Sequence, residues 1–198
     1  MSRQLSLVAA LALLASLAVV APAAPAPGPG VVTKAMVLTL RDLPPGYDLT
    51  TGHYVTNAEL KRKDPAWKDY AQLGRIAGYN ASYKTLGIGG MTAVDAFASV
   101  YKTGVGAHNS LMLTLVQAHE QDGTKLLLAG PGLLGGDTLV YRMKGSGSNE
   151  DLYAVAWRRG SVLAEVIGAG RTGTVDVADV VALAKKQDSR IARALKRP

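Results

Sequence analysis

One segment of this 198-residue sequence carries the residue types of a serine acyltransferase. The segment SVYKTG (residues 99–104) spells both S-x-x-K and K-T-G, the motifs that supply a nucleophilic serine and its lysines in β-lactamases. Those enzymes need the two motifs on facing elements. Here both motifs use Lys102, and the alternation around Ser99 predicts a strand. One lysine would therefore have to lie both beside Ser99 and across the cleft from it. We therefore predict no acyl-transfer site.

A second segment, GPGLLG (residues 130–135), spells G-x-G-x-x-G, the fingerprint that binds the pyrophosphate of a dinucleotide. That site requires a helix to begin on the glycines, because the helix N-terminus supplies the N–H groups that hold the phosphates. Residues 138–144 instead alternate between apolar and polar, which predicts a strand. We therefore expect no cofactor.

The three histidines are the remaining candidates for catalysis or metal binding. His108 and His119 lie on one predicted helix but are separated by about 16 Å along its axis, at 1.5 Å per residue. They cannot share a metal ion, and the chain has no cysteine. We predict no metal site and no catalytic residue. A hydrolase with a dispersed site is the enzymatic alternative, which a buried polar cluster around His53 or His108 would favour.

The arginine pair in VAWRRGSVLAEV (residues 155–166) is either an anion-binding site or the tip of a turn. Gly160 permits the positive φ that tight hairpin turns need. We predict that Arg159 and Gly160 form a two-residue turn, which pairs Trp157 with Val162. Arg158 and Arg159 would then lie at a solvated tip.

Helical and strand patterns follow one another along the chain and would position these residues. We predict helices at residues 33–40, 56–73 and 107–120, strands at 79–84, 94–101, 138–144, 152–157 and 162–167, and a last helix that Asp176 caps. Short turns join the last three strands, so we expect them to be antiparallel. The fold class is α+β, an antiparallel sheet with helices packed on it.

The N-terminus predicts the compartment. Residues 5–20 are apolar except for two serines, and the small-x-small sequence at residues 21–23 is typical of a signal-peptide cleavage site. We predict a signal peptide at residues 1–23, a flexible Pro/Ala/Gly tether at 24–32 and a single domain at 33–198. An uncleaved membrane anchor is the alternative, although three prolines interrupt the end of such a span. After cleavage no transmembrane helix would remain.

The formal net charge of +7 bears on the partner. An exported protein rarely meets nucleic acid, so anionic wall polymer or anionic lipid is the partner that charge favours. Lys61, Arg62 and Lys63 form a dense basic run and are our candidate anion contacts. Ordinary solubility is the competing explanation of the same charge.

Several segments resemble one class of domain in their order along the chain: DLPPGY, LGRIAGYNASY, GAHNSL, LLGGDTLVYR, VAWRRGSVLAEV and ALAKKQDSRIARAL. They resemble the secreted sensor-like α/β domains of bacterial cell envelopes, such as the extracellular sensor domains of mycobacterial serine/threonine kinases and PsbP-like lipoproteins. The resemblance implies a PsbP-like sandwich of two or three layers and a binding or scaffolding role. This chain departs from both groups, because it has neither the disulfides of the kinase sensors nor the anchoring cysteine of the lipoproteins.

We therefore predict an exported, non-enzymatic binding or accessory protein of the cell envelope, which takes a small or lipid-like ligand or an anionic polymer. A groove between the sheet and a helix would be lined by four aromatic residues: Tyr79, Tyr83, Phe97 and Trp157. The competing explanation is that these aromatics are simply core. Clustering of residues 61–63 with the C-terminal bases (Arg190, Arg193, Lys196 and Arg197) would instead favour electrostatic attachment.

The cleavage site gives a direct prediction. N-terminal sequencing of the exported protein should begin at Ala24 or within a few residues of it, because the apolar run ends at a small-x-small site. Finding Met1 or Ser2 on the membrane-bound protein would contradict this and support the anchor.

Overall fold

A computed structural model describes residues 33–63, 67–87, 90–120, 123–144 and 149–196. The predicted signal peptide and tether lie outside these residues. Two 3-10 helices come first, η1 (Thr33–Met36) and η2 (Leu40–Asp42). The other elements follow in chain order: β1 (Tyr47–Val55), α1 (Asn57–Lys63), α2 (Trp67–Gln72), β2 (Arg75–Thr85), β3 (Met91–Tyr101), α3 (Gly104–Glu120), β4 (Lys125–Pro131), β5 (Asp137–Lys144), β6 (Glu150–Arg159), β7 (Val162–Arg171) and α4 (Val177–Ala194).

The strands form one antiparallel sheet in the order β1-β2-β3-β7-β6-β5-β4. Two meanders, β1–β3 and β4–β7, meet where β3 pairs with β7, and α3 connects them. Because a strand follows residues 130–135, the glycine-rich segment joins β4 to β5 and begins no helix.

The helices lie on both faces of the sheet and make three layers. Helix α4 and η1 cover one face, which we call the α4 face, through side chains such as Val180 and Met36. Helix α3 covers the other, the α3 face, through Ala107 and Leu111. The Asp176 side chain accepts a hydrogen bond from the Ala178 N–H at 2.8 Å, as a helix N-cap does. The α+β prediction is confirmed.

Three regions differ from the predicted elements, and one of them is β4, a strand that was not predicted. Strand β1 was not predicted, because seven of its nine residues are exposed and its sequence has no apolar alternation. Backbone pairing with β2 at the sheet edge defines it instead. The predicted helix at residues 33–40 is the shorter η1, and the described parts of the predicted helix at 56–73 are α1 and α2.

The β6–β7 hairpin is present, but its turn lies one residue further along the chain than predicted. Arg159 pairs with Val162 and Trp157 with Ala164, so Gly160 and Ser161 form the turn. Gly160 has φ of 59°. It occupies the first central position, where a type II′ turn favours glycine.

The prediction of a solvated arginine tip is wrong, because alternate residues of a strand point to opposite faces. Arg158 points to the α3 face, where its Nε lies 3.2 Å from Asp137 Oδ2. Arg159 points to the α4 face, where its Nε lies 2.6 Å from Oδ1 of the buried Asp188. The Trp157 indole N–H donates to the same oxygen at 3.0 Å. Arg159 therefore ties α4 to the sheet, while Arg158 links β6 to β5.

We expect Arg159→Ser to destabilise the protein by roughly 1.5–3 kcal/mol, because a hydrogen-bonded charge would be lost and Asp188 would stay buried. Chemical denaturation measures the free energy of unfolding. The control is Arg171→Ser at the exposed end of β7, which should change it by no more than about 0.5 kcal/mol. Equal losses in the two variants would show that the ion pair contributes nothing.

Candidate functional site

A cavity of about 510 Å³ lies between α3 and the sheet, and we call it the α3 cavity. This volume is in the usual range of small-molecule sites. Its lining comes from β2, β3, β5, β6, β7 and three helices: Leu60, Tyr70, Arg75, Asn80, Asp95, Phe97, Ser99, Tyr101, Thr114, Gln117, Ala118, Tyr141, Met143, Ala156, Leu163, Glu165 and Ile167.

Strand alternation gives this cavity its polar floor. On β3 the residues Asp95, Phe97 and Ser99 point to the α3 face, while the residues between them pack under α4. Phe97 pairs directly with Glu165 of β7, so an aromatic ring and a carboxyl group are neighbours in the floor.

Glu165 is held by a residue two strands away. The Tyr141 hydroxyl of β5 donates a hydrogen bond to Glu165 Oε1, although β6 lies between their strands. Ala154 and Ala156 of β6 face the same layer, and both are buried. Because these two side chains are small, the tyrosine can reach across them. The alanines thus make room for a polar pair in the middle of the sheet.

The environment of Glu165 favours its neutral form. Burial raises the pKa of the Glu165 carboxyl, and the nearby Asp95 raises it further, while the Tyr141 hydrogen bond opposes them. Burial also raises the pKa of Tyr141, with Glu165 adding to it, so the phenol stays a donor. The floor of the cavity therefore offers a carboxyl group whose charge a bound donor or cation would stabilise.

Arg75 closes the other end of the α3 cavity and is buried. Its guanidinium donates to Ser99 Oγ at 2.8 Å, to Asn57 Oδ1 at 2.8 Å and to the Val55 carbonyl at 2.9 Å. Burial is the largest influence on the pKa of Arg75 and lowers it. A Cβ at Gly78 would lie 2.6 Å from this guanidinium, so glycine is required there. Ser99 thus accepts from an arginine, and none of the hydrogen bonds among the described residues joins its hydroxyl to a lysine.

Helix α3 forms the wall opposite the floor. The Tyr101 and Ser110 hydroxyls lie 2.5 Å apart in a buried contact that joins β3 to α3. The Tyr70 hydroxyl donates to Gln117 Oε1 at 2.8 Å and links α2 to the same wall. The cavity is therefore bounded by hydrogen bonds as well as by apolar packing.

The four predicted aromatics do not share one groove. Phe97 lines the α3 cavity. Tyr79 and Tyr83 line a second cavity on the α4 face. Trp157 is completely buried in the core beside Asp188. Phe97 and Tyr79 diverge because they lie on strand positions of opposite parity. A ligand at the three cavity-lining aromatics stays a prediction.

The basic run lies on α1, where Lys61 and Arg62 are exposed and Lys63 is the last residue. Leu60 of this helix borders the α3 cavity. The C-terminal bases Arg190, Arg193 and Lys196 lie on and after α4, which packs on the other face of the sheet, so the two basic groups belong to different layers. The anion contacts at residues 61–63 stay a prediction.

His53 and His108 are partly exposed. His108 Nδ1 lies 2.9 Å from Asp137 Oδ2, which also contacts Arg158. Burial acts to raise the pKa of Asp137, but the His108 and Arg158 contacts outweigh it and lower the pKa. His53 lies 3.4 Å from Glu59. Neither histidine lines either cavity, so the buried cluster that would favour a hydrolase is not found at them.

In the described part of the chain, no group of three histidine, aspartate or glutamate side chains is placed to hold a metal ion. None of the helices in these residues is both long and apolar enough to cross a membrane.

Sequence reasoning missed Glu165, Tyr141 and Asp95 as site residues. Glu165 is the one acidic residue in VLAEVIGAG, an otherwise apolar strand segment. A carboxylate in a strand covered on both faces needs a partner or a cavity, and this was the available signal. The position of Tyr141 opposite it depends on strand order, which local patterns do not reveal.

The raised pKa of Glu165 has a consequence for stability. Between the unfolded pKa of about 4.3 and the higher folded pKa, unfolding releases a proton, so wild-type stability falls as pH rises. Glu165→Gln cannot titrate and should therefore gain stability relative to wild type across this window. Urea denaturation at several pH values measures the difference. The exposed Glu120→Gln on α3 is the control, and a pH-independent difference for Glu165→Gln would contradict the assignment.

Comparison with known proteins supports the fold. No protein-family profile matches the chain, and no curated protein matches it in sequence. The structure is similar to the crystal structure of the extracellular domain of PknH from Mycobacterium tuberculosis, with a TM-score of 0.52 and 10% identity, covering 79% of this chain and 94% of that one. At this identity the similarity concerns the fold alone. It confirms the architecture that the resemblance to sensor-like domains implied.

Proposed function

We propose that this protein is an exported, non-enzymatic binding module of the bacterial cell envelope and that the α3 cavity receives its ligand. The observation that carries the proposal is the Glu165 carboxyl in the cavity floor, held by Tyr141 and flanked by Phe97. A half-buried carboxyl in the middle of the sheet, with no charged partner among the described residues, is costly in a purely structural role. A ligand that donates hydrogen bonds to it would offset this cost.

The composition of the cavity favours one kind of ligand. Phe97, Leu163 and Ile167 offer apolar surface, while Glu165 and Asp95 offer acceptors. A small molecule with an apolar face and a hydroxyl or amino group fits both. Sugars and amino-bearing wall fragments belong to this class.

Two further observations support a binding role outside the cell. The N-terminal sequence is typical of a secreted protein. A protein of the same fold is an extracellular domain. Neither identifies a ligand, so the ligand class rests on the cavity residues.

Electrostatic attachment to anionic wall polymer is a second candidate, because Lys61 and Arg62 are exposed on α1. It differs from cavity binding in its salt dependence, since exposed charges are screened over about 8–10 Å near physiological ionic strength. Replacing residues 61–63 by serine would weaken it, whereas filling the cavity would leave it unchanged.

NMR titration with soluble disaccharide-peptides released from digested bacterial cell wall tests the proposal. We expect saturable shifts in the residues of the α3 cavity. Ala118→Leu adds volume at the α3 wall and should weaken binding about tenfold or more, because overpacking a filled site costs about 1–3 kcal/mol. Val116→Ala, half exposed on the same helix, should bind like wild type.

Three results would count against cavity binding. They are an absence of shifts, shifts that Ala118→Leu leaves unchanged, and binding lost in high salt and in the serine variant of residues 61–63. The last would favour electrostatic attachment.

A further inference from the structure

A second cavity of about 510 Å³ opens on the α4 face near the β1 edge of the sheet. It lies between residues 37–41, which include the start of η2, and strands β1 and β2. It shares no lining residue with the α3 cavity. Binding in this cavity is therefore independent of binding in the α3 cavity.

The interior of this cavity is apolar. Tyr79, Ala81 and Tyr83 of β2 form its floor, and all three are buried. The Tyr83 hydroxyl donates to the Leu38 carbonyl at 2.5 Å, so its hydrogen-bonding capacity is used and its ring faces the space. Burial above all raises the pKa of Tyr83 to about 12, which keeps this hydroxyl neutral. The floor therefore suits a hydrocarbon.

The mouth of the cavity is also apolar. Leu40 is 47% exposed and Leu49 is 51% exposed, although both line the cavity. Two half-exposed leucines beside an apolar space are a feature of surfaces that bind a partner. A guest that covers them would bury surface that now contacts water.

The charges of the lining are all positive. Lys34, Arg41 and Arg190 line the cavity, and no acidic residue does. The nearest carboxylate, Asp42, is already engaged by Thr39 at 2.7 Å and 2.8 Å and by Arg190 Nη1 at 3.3 Å. The Nε of Arg190 is buried and has no hydrogen-bond partner among the residues that the structure describes. The Arg190 side chain is 22% exposed and lines the cavity, so its positive charge lies at the end of an apolar space.

We propose that this cavity binds a single-chain amphiphile with an anionic headgroup. Its hydrocarbon chain lies over Tyr79 and Tyr83 and covers Leu40 and Leu49. Its headgroup accepts from Arg190 and lies near Lys34 and Arg41, since charge-assisted hydrogen bonds are the strong ones. The occupant is a monomeric amphiphile and not a bilayer surface, because the floor residues are buried inside a cavity of about 510 Å³.

The experiment uses laurate below its micellar concentration, titrated into the protein as the cell produces it. Calorimetry should give one site per chain, and NMR shifts should fall on residues 37–41 and 79–83. Decanoate should bind about fifteenfold more weakly, because each methylene contributes about fourfold. Dodecyl maltoside should bind more weakly than laurate, and dodecyltrimethylammonium should not bind at this site.

Matched variants test the two halves of the cavity. Leu40→Asp should weaken laurate binding about tenfold or more. The substitution removes the apolar contact that laurate would bury and introduces a negative charge that repels the laurate carboxylate. Leu128→Asp on β4 is its control, since Leu128 is also 47% exposed and lies at the opposite edge of the sheet. Both positions are exposed, so both variants should fold.

Substitutions of the basic residues test the contact with the anionic headgroup. Arg190→Gln should remove the preference for laurate over dodecyl maltoside, and the exposed Arg193→Gln on α4 should retain it. If Arg190→Gln fails to fold, the double variant Lys34→Gln with Arg41→Gln, at two exposed positions, should reduce the same preference.

Three outcomes would overturn the proposal. They are the absence of saturable laurate binding, binding unaffected by Leu40→Asp, and binding to anionic phospholipid vesicles without any binding of monomeric laurate. The first two leave the wall-fragment titration of the α3 cavity unaffected, so failure here is distinguishable from failure of the proposed function.

Discussion

The antiparallel pairing of β3 with β7 is the constraint on which the rest of the structure depends. These two strands lie at the centre of the sheet, with a helical layer on each side, so the parity of each residue decides which layer it faces. Val94, Ala96 and Ala98 pack under α4, while Asp95, Phe97 and Ser99 face α3. A slip by one residue would put carboxyl groups under α4. The polar cavity and the apolar core are therefore two consequences of one register.

The same parity rule explains the arginine pair at the β6–β7 hairpin. Consecutive residues must point to opposite faces, so Arg158 reaches Asp137 of β5 on the α3 face and Arg159 reaches Asp188 of α4 on the other. A Cβ at Gly135 would lie 2.3 Å from the Arg159 guanidinium, and one at Gly136 would lie 2.4 Å from the Arg158 carbonyl. The glycine-rich segment that resembles a nucleotide motif thus lets the β4–β5 loop approach this hairpin.

Local sequence patterns predicted the elements that bury an apolar face. The covered strands alternate, α4 has a cap and an apolar stripe, and each is found near its predicted position. Strand β1 could not be predicted this way, because it buries almost nothing. The hairpin register also escaped prediction: moving the turn by one residue leaves the same side chains on each face, so hydrophobicity alone cannot distinguish the two registers. The candidate site was the least predictable part, since Tyr141 meets Glu165 only through the strand order.

The two cavities differ in chemistry because different parts of the chain cover the two faces. Helix α3 leaves acids and hydroxyls of the central strands within reach of a guest. On the α4 face, η2 and the residues before it cover β2, next to the edge strand β1. The basic residues that line this second cavity lie around its aromatic rings. A sheet of this width has more surface than two helices can cover. The area that the helices leave uncovered on each face is where this fold has room for a ligand. The parity of the strand residues determines which side chains line each of these areas.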